Sequence, residues 1–226
     1  MAGPRLLLIE TSGRVGLVAL AEGEALRGQR RLDEARRHAR DLAPAIAALL
    51  QEQNWRAAEL GAVIASRGPG SYTGLRVGLM TAKTLAWATG CALIAIDTFA
   101  AIARQAPAEC ARLDVLADAQ QDRVYVQSFV RSAEGWQAAS ALAIERCTDW
   151  LARRDPSGWV SGPGVAKWQG QLGGVSLVAA ERRDPGAEAL LALGLERLSA
   201  GQRDDPYAVE PLYLRASSAE EQLRRP

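Results

Sequence analysis

The chain has 226 residues, enough for one large domain or two small ones around a core of useful size. Its 27 Lys and Arg against 26 Asp and Glu leave a net charge of +1, which excludes bulk attraction to nucleic acid though not a local basic patch. Three scattered cysteines, Cys91, Cys110 and Cys147, exclude a disulfide framework and fit a reducing cytoplasm, and the apolar run Leu6–Ile9 is too short for a signal segment or a membrane span.

Leu6–Glu10 and Val15–Ala21 read as strands divided by the turn-rich Thr11–Ser12–Gly13, and Ala25–Gln29 supplies a third, giving an antiparallel meander. From about Leu32 to Gln53 the period becomes helical, with Ala35, His38, Leu42, Ile46 and Leu49 on one face. Pro44 removes the hydrogen bond to the Arg40 carbonyl, so a kink or restart is expected there. Val63–Ser66 is a buried-strand candidate, followed by a glycine loop and a helix from about Tyr72 to Ala88 that Gly90 stops. Leu93–Ile96 is the next strand, and Asp97 or Thr98 caps a short helix through about Gln105. Pro107 marks a boundary, dividing residues 1–106 from 107–226.

The second half opens in the same way. Asp114–Ala117, the alternating run Arg123–Val130 and a weaker Gln137–Leu142 read as strands, and Thr148 or Asp149 caps a short helix. Trp159–Ser161 and Val175–Ala179 follow as strands, Gly186–Ala200 as a helix, and Pro211–Arg215 as an extended tail. The repeated opening suggests two related halves, although residue identity between them is poor.

The single histidine, His38, excludes an HExxH site and any site with two histidine ligands. It lies on an apolar helix face beside Arg36, Arg37 and Arg40, with nothing like a nucleophile elbow nearby, and reads as a helix-face or interface residue. Glu10, Asp118 and Asp122 stand at or just beyond strand ends, where carboxylates hold divalent ions or act as acid and base, and also where they serve as caps and turn formers. Turn forming is the favoured reading of Asp122. For Glu10 and Asp118 the two readings are nearly balanced.

The segment "SRGPGSYTGLRVGLMTAKTLAWATG", residues 66–90, has the strand–loop–helix order of an anion site, in which backbone N–H groups and the helix dipole face a phosphate. It lacks both the Walker A ending and the GxGxxG spacing. Gly68, Gly70, Ser71 and Thr73 therefore fit an anion or nucleotide loop and equally fit simple turn and capping chemistry. Further on, Gly74, Gly78, Ala82 and Ala86 recur every four residues and make a stripe without side chains, suited to close approach by a partner or by the chain's own sheet.

This glycine segment closely resembles the signature of the TsaB (YeaZ) family, the non-catalytic subunits of the bacterial tRNA threonylcarbamoyladenosine complex. "LLLIETSGRVGLVAL" resembles that family's opening strand–turn–strand, "RRHARDLAPAIAALL" its first helix, "LADAQQDRVYVQSF" the start of its second half, and "EPLYLR" its C-terminal box. The resemblance implies an α/β, actin-like and Hsp70-like (ASKHA) fold, a duplicated ribonuclease-H-like unit with mixed sheets flanked by helices. It implies a scaffold that pairs with TsaD, joined by the ATPase TsaE, for threonylcarbamoyl transfer to the adenosine beside the anticodon of ANN-reading tRNAs. Contact with tRNA would run through the complex only, and the isolated chain could also pair with itself.

The family's catalytic relatives hold a metal with histidines that this sequence lacks, so no catalytic and no metal-binding residue is expected, and no tightly bound cofactor. ATP or ADP, where held, would sit at a subunit junction. Pairing through the first two long helices assigns His38, Leu42, Ile46, Tyr72, Gly74, Leu75, Gly78, Leu79, Ala82 and Ala86 to the partner interface. The family usually has Asp where Glu10 stands, and the longer side chain weakens the rival reading, a stand-alone actin-like ATPase or sugar kinase. A glycopeptidase, the other rival, is disfavoured by the missing histidines.

Overall fold

The structure is a computed structural model that describes residues 3–32 and 38–214. The first sheet is built from β1 (Arg5–Glu10), β2 (Leu17–Glu22), β3 (Ala25–Arg31), β4 (Ala62–Gly68) and β5 (Ala92–Asp97), in the order β3-β2-β1-β4-β5. β1 to β3 pair antiparallel through their short turns, and β4 and β5 add in parallel through helical crossovers. β1 and β4 are continuous apolar runs because helices cover both faces of the sheet.

The pleat sends alternate residues to opposite layers. Leu7, Ile9, Val63 and Ala65 face α1 (His38–Glu52) and α2 (Tyr72–Thr89). Leu6, Leu8, Ala62 and Ile64 face α6 (Ala187–Ser199), which follows the second sheet in sequence. α1 runs unbroken through Pro44, so the expected restart does not occur: one withheld N–H does not end the helix. Residues 33–37 and the side chain of His38, which the sequence placed on this helix, lie outside the described residues, as does Arg215.

The second sheet repeats the first. β6 (Arg112–Asp118), β7 (Arg123–Ser132), β8 (Gly135–Ala138), β10 (Trp159–Ser161) and β11 (Ser176–Leu177) lie in the order β11-β10-β6-β7-β8, the mirror listing of the first sheet's order. β9 (Ala143–Arg146), missed in the sequence, pairs with β7. One face packs on α3 (Thr98–Arg104), the other on α4 (Cys147–Arg153) and α5 (Val165–Trp168). The helix α3 joins the halves, with Ala101 in the first sheet's core and Phe99 and Ile102 in the second's. This is the duplicated, actin-like α/β architecture.

The first sheet's last strand ends at Asp97 and the second sheet begins at Arg112, but the polypeptide beyond the second sheet returns to the first. After α6, Asp204 bridges to Leu93 on edge strand β5, its carboxylate accepts the Ala95 N–H at 2.7 Å, and Arg197 donates to the Ala95 carbonyl at 2.7 Å. These bonds occupy edge groups that would otherwise pair with another strand. Among the described residues, no helix is long and apolar enough to cross a membrane.

Candidate functional site

The glycine loop leaves β4 at Gly68, whose φ of +113° is open to glycine and strained for other residues. Ser71 caps α2, its Oγ accepting the Gly74 N–H at 3.3 Å. The turn between β1 and β2 closes onto this loop from the other side. Ser71 N–H donates to the Ser12 carbonyl at 2.7 Å, and a Cβ on Gly70 would stand 2.4 Å from that same oxygen. The loop is thus seated against the chain's own backbone, with Gly70 there for close approach, while Thr73 is exposed on the first turn of α2.

Glu10, at the end of β1, is buried to 2 % exposure. Its Oε1 accepts both the N–H and the hydroxyl of Ser12, each at 2.5 Å, and its Oε2 is buried without a partner. Burial pushes the carboxyl up from its ordinary range, with the hydrogen bonds from Ser12 and Ser66 opposing that rise. A buried carboxyl favoured in its neutral form is a poor holder of a hydrated divalent ion.

Asp118 occupies the corresponding position at the end of β6 but is exposed, paired with Lys167 at 2.8 Å and accepting the Gln120 N–H at 2.8 Å. Asp122 is a turn residue at φ +57°, following Gln120 and Gln121 in the same left-handed region. The two halves thus place carboxylates alike and use them differently. Among the described residues, no group of three His, Cys, Asp or Glu side chains could hold a metal ion.

The sequence missed a second glycine loop in the equivalent place. Ser161, Gly162, Pro163 and Gly164 lie at the end of β10 and just beyond it, as Ser66, Gly68, Pro69 and Gly70 do for β4. Gly162 has φ +101°, and a Cβ there would meet the Leu116 carbonyl at 2.2 Å. The signal was present as a repeated Gly-Pro-Gly after a buried serine, obscured by one extra residue in the first copy.

The stripe on α2 turns inward. A Cβ on Gly74 would stand 2.0 Å from the Thr11 carbonyl and one on Gly78 2.0 Å from Thr11 Oγ1, while Leu75, Leu79, Ala82 and Ala86 are buried. Leu42 is likewise enclosed in the core beneath α1. The close approach predicted for this stripe is therefore real, but it is made by the chain's own β1 and the turn after it, and these residues present no open face. Tyr72 is half-buried at the start of α2, stacked on Tyr213 with ring centroids 4.7 Å apart.

The accessible side of α2 carries Arg76, Met80, Thr84 and Trp87, spaced at helical intervals, with Met80 57 % and Trp87 67 % exposed. Between α1 and α2 runs an apolar groove of about 470 Å³, lined by Ala43, Ile46, Ala47, Leu50, Met80 and Leu85, with Thr81 and Thr84. Of the residues assigned to an interface by sequence, Ile46 lines this groove. Single exposed apolar side chains are ordinary, but an apolar groove lined by an exposed Met, with an exposed Trp further along the same helix, is a candidate docking surface.

Comparisons with known proteins agree with this architecture. The model of the TsaD family, tRNA N6-adenosine threonylcarbamoyltransferase, matches residues 32–173. The chain is 28% identical over 227 residues to the tRNA threonylcarbamoyladenosine biosynthesis protein TsaB of Escherichia coli (strain K12), covering 97% of this chain and 98% of that protein. A 63-residue stretch is 49% identical to the tRNA N6-adenosine threonylcarbamoyltransferase of Erythrobacter litoralis, covering 28% of this chain and 18% of that one. A Pseudomonas aeruginosa crystal structure, of an uncharacterized protein with similarity to peptidase YEAZ, matches at TM-score 0.81 and 25% identity over 94% of this chain and 100% of the other.

The duplicated sheets and glycine loops thus define a protein of the actin-like ATPase fold, with its first carboxylate buried. The chain belongs to the threonylcarbamoyladenosine family that this model describes, in its TsaB (YeaZ) branch.

Proposed function

We propose that this chain is a non-catalytic scaffold of tRNA threonylcarbamoyladenosine synthesis, pairing with a TsaD subunit, with TsaE joining the assembly. The observation that carries the reading is the apolar α1/α2 groove with the exposed Met80 in its lining, and Trp87 exposed further along α2. An apolar groove with a flexible methionine in its lining suits the seating of a partner's helix. A scaffold role is supported by Glu10, whose burial and neutral tendency leave little for nucleotide chemistry, and by the single histidine of the chain. Any ATP or ADP would be held where subunits meet, and tRNA would be reached through the complex.

Two measurements test this. Deleting the gene should abolish threonylcarbamoyladenosine in tRNA, and normal levels in a clean deletion would refute the assignment. The purified chain should turn over no ATP alone, whereas robust turnover without partners would favour the stand-alone actin-like ATPase or sugar kinase.

A further inference from the structure

We propose that the C-terminal segment, residues 204–214, is a latch on the glycine loop, with the stack of Tyr72, Arg76 and Tyr213 as its catch, and that the latch sets the first turn of α2. The segment is attached at both ends. Upstream, Asp204 is bonded to β5, Val209 is buried in the first sheet's core, and Lys83 Nζ donates to the Val209 carbonyl at 3.1 Å. Downstream, Leu212 N–H donates to the Arg67 carbonyl at 2.7 Å. Gly68 leaves room for this crossing: a Cβ there would stand 3.3 Å from the Leu212 carbonyl and 3.0 Å from Leu75 Cδ1.

One residue further, Arg76 Nε donates to the Tyr213 hydroxyl at 3.0 Å. The guanidinium lies 4.2 Å from the Tyr72 ring and 5.6 Å from the Tyr213 ring. The glycine loop is thereby held from both sides, by Ser12 at Ser71 and by Leu212 at Arg67.

The two ends differ in depth. The upstream anchors are buried or partly buried, whereas Tyr213 is 38 % and Leu214 36 % exposed. An exposed cation–π stack is a weak bond, so the catch can open while the anchors stay. What opens with it is the first turn of α2, because Tyr72 and Arg76 both belong to that turn and the next. Arg76 lies one turn before Met80, so the latch also borders the docking face. That consequence rests on the function proposed above, whereas the latch itself does not.

Hydrogen exchange on the full-length chain decides the matter. In Tyr213→Ala, amides of residues 67–76 should exchange about tenfold faster or more, as expected for a segment released into local opening, while those of β1 and α1 keep their wild-type rates. Tyr213→Phe retains the ring but loses the hydroxyl and should fall between the two. It also serves as the reference if the alanine variant fails to fold. Faster exchange confined to residues 210–214, with 67–76 unchanged, would overturn the proposal. Titration of both variants with purified TsaD is a separate arm. Absence of binding by the wild-type chain would count against the proposed function and leave the exchange criterion standing.

Discussion

Gly78 lies directly over Thr11: a side chain on the glycine would begin 2.0 Å from Thr11 Oγ1 and 3.2 Å from its Cβ. This contact seats α2 on the end of β1 and fixes the depth of the glycine loop that precedes it. Gly78→Ala should therefore lower stability by ~1–3 kcal/mol through overpacking. A melting curve checks this. Thr11→Ala in the Gly78→Ala background should recover part of the loss, since neighbouring substitutions that share one contact are not additive.

The opposite side of the same helix should behave in the reverse way. Trp87→Ala and Met80→Ala remove exposed side chains and should leave stability within about 0.5 kcal/mol of wild type. If the groove receives the partner, truncating such an anchor costs about 2 kcal/mol of binding or more, a weakening of roughly thirtyfold or greater. Calorimetric titration beside thermal melting separates the two effects. Unchanged affinity in both variants would place the partner elsewhere.

Glu10 makes stability depend on pH with a definite sign. Its folded-state pKa is raised above the unfolded value, so between the two the folded chain binds the extra proton. The stability associated with the neutral carboxyl is complete below the unfolded value near 4.5 and declines as pH rises from there toward the folded value. Glu10→Gln cannot ionise and lacks this decline. Its melting temperature relative to wild type should thus be more favourable at pH 7 than at pH 4, and an equal difference at both would contradict the assignment.

The cysteines should separate by reactivity. Burial pushes Cys110 up to about 11 and raises Cys147 as well, so neither offers much thiolate at pH 8. Cys91 is half-buried just beyond Gly90, between α2 and β5. Under native conditions iodoacetamide should label Cys91 first, and the other two only after unfolding, as read by mass spectrometry of tryptic fragments.

Much of the fold was legible in the sequence because local signals and tertiary packing agree there. The apolar runs at Leu6–Glu10 and Leu93–Ile96, Gly90 at φ +72° behind α2, and the cap at Ser71 all mark elements that the structure contains. What misled was the helix stripe. Periodicity shows that Gly74, Gly78, Ala82 and Ala86 share a face, but it cannot say which neighbour comes close, and the answer depends on where Thr11 lies across the sheet. β9 was hidden because Ala143–Arg146 is four residues long, with three of them only partly buried and no alternation to detect. The candidate site was least legible for the same reason as the stripe. Met80 and Trp87 drew no reading from the sequence, because nothing local marks them as exposed before the sheet beneath α2 has taken the other face of the helix.

The return of α6 to the first sheet reaches beyond architecture to the order in which the protein can be made. Leu6, Leu8, Ile64 and Ile94 lie on a face whose cover includes Ala187, Leu190 and Leu191. On the ribosome, where the amino end emerges first, that face waits through the synthesis of the whole second sheet before its cover arrives. A fragment ending near residue 106 would keep the glycine loop, α1 and α2 yet expose a bare apolar sheet. The two halves are therefore duplicates in shape but not separable parts, and the tail completes the half that the chain began with.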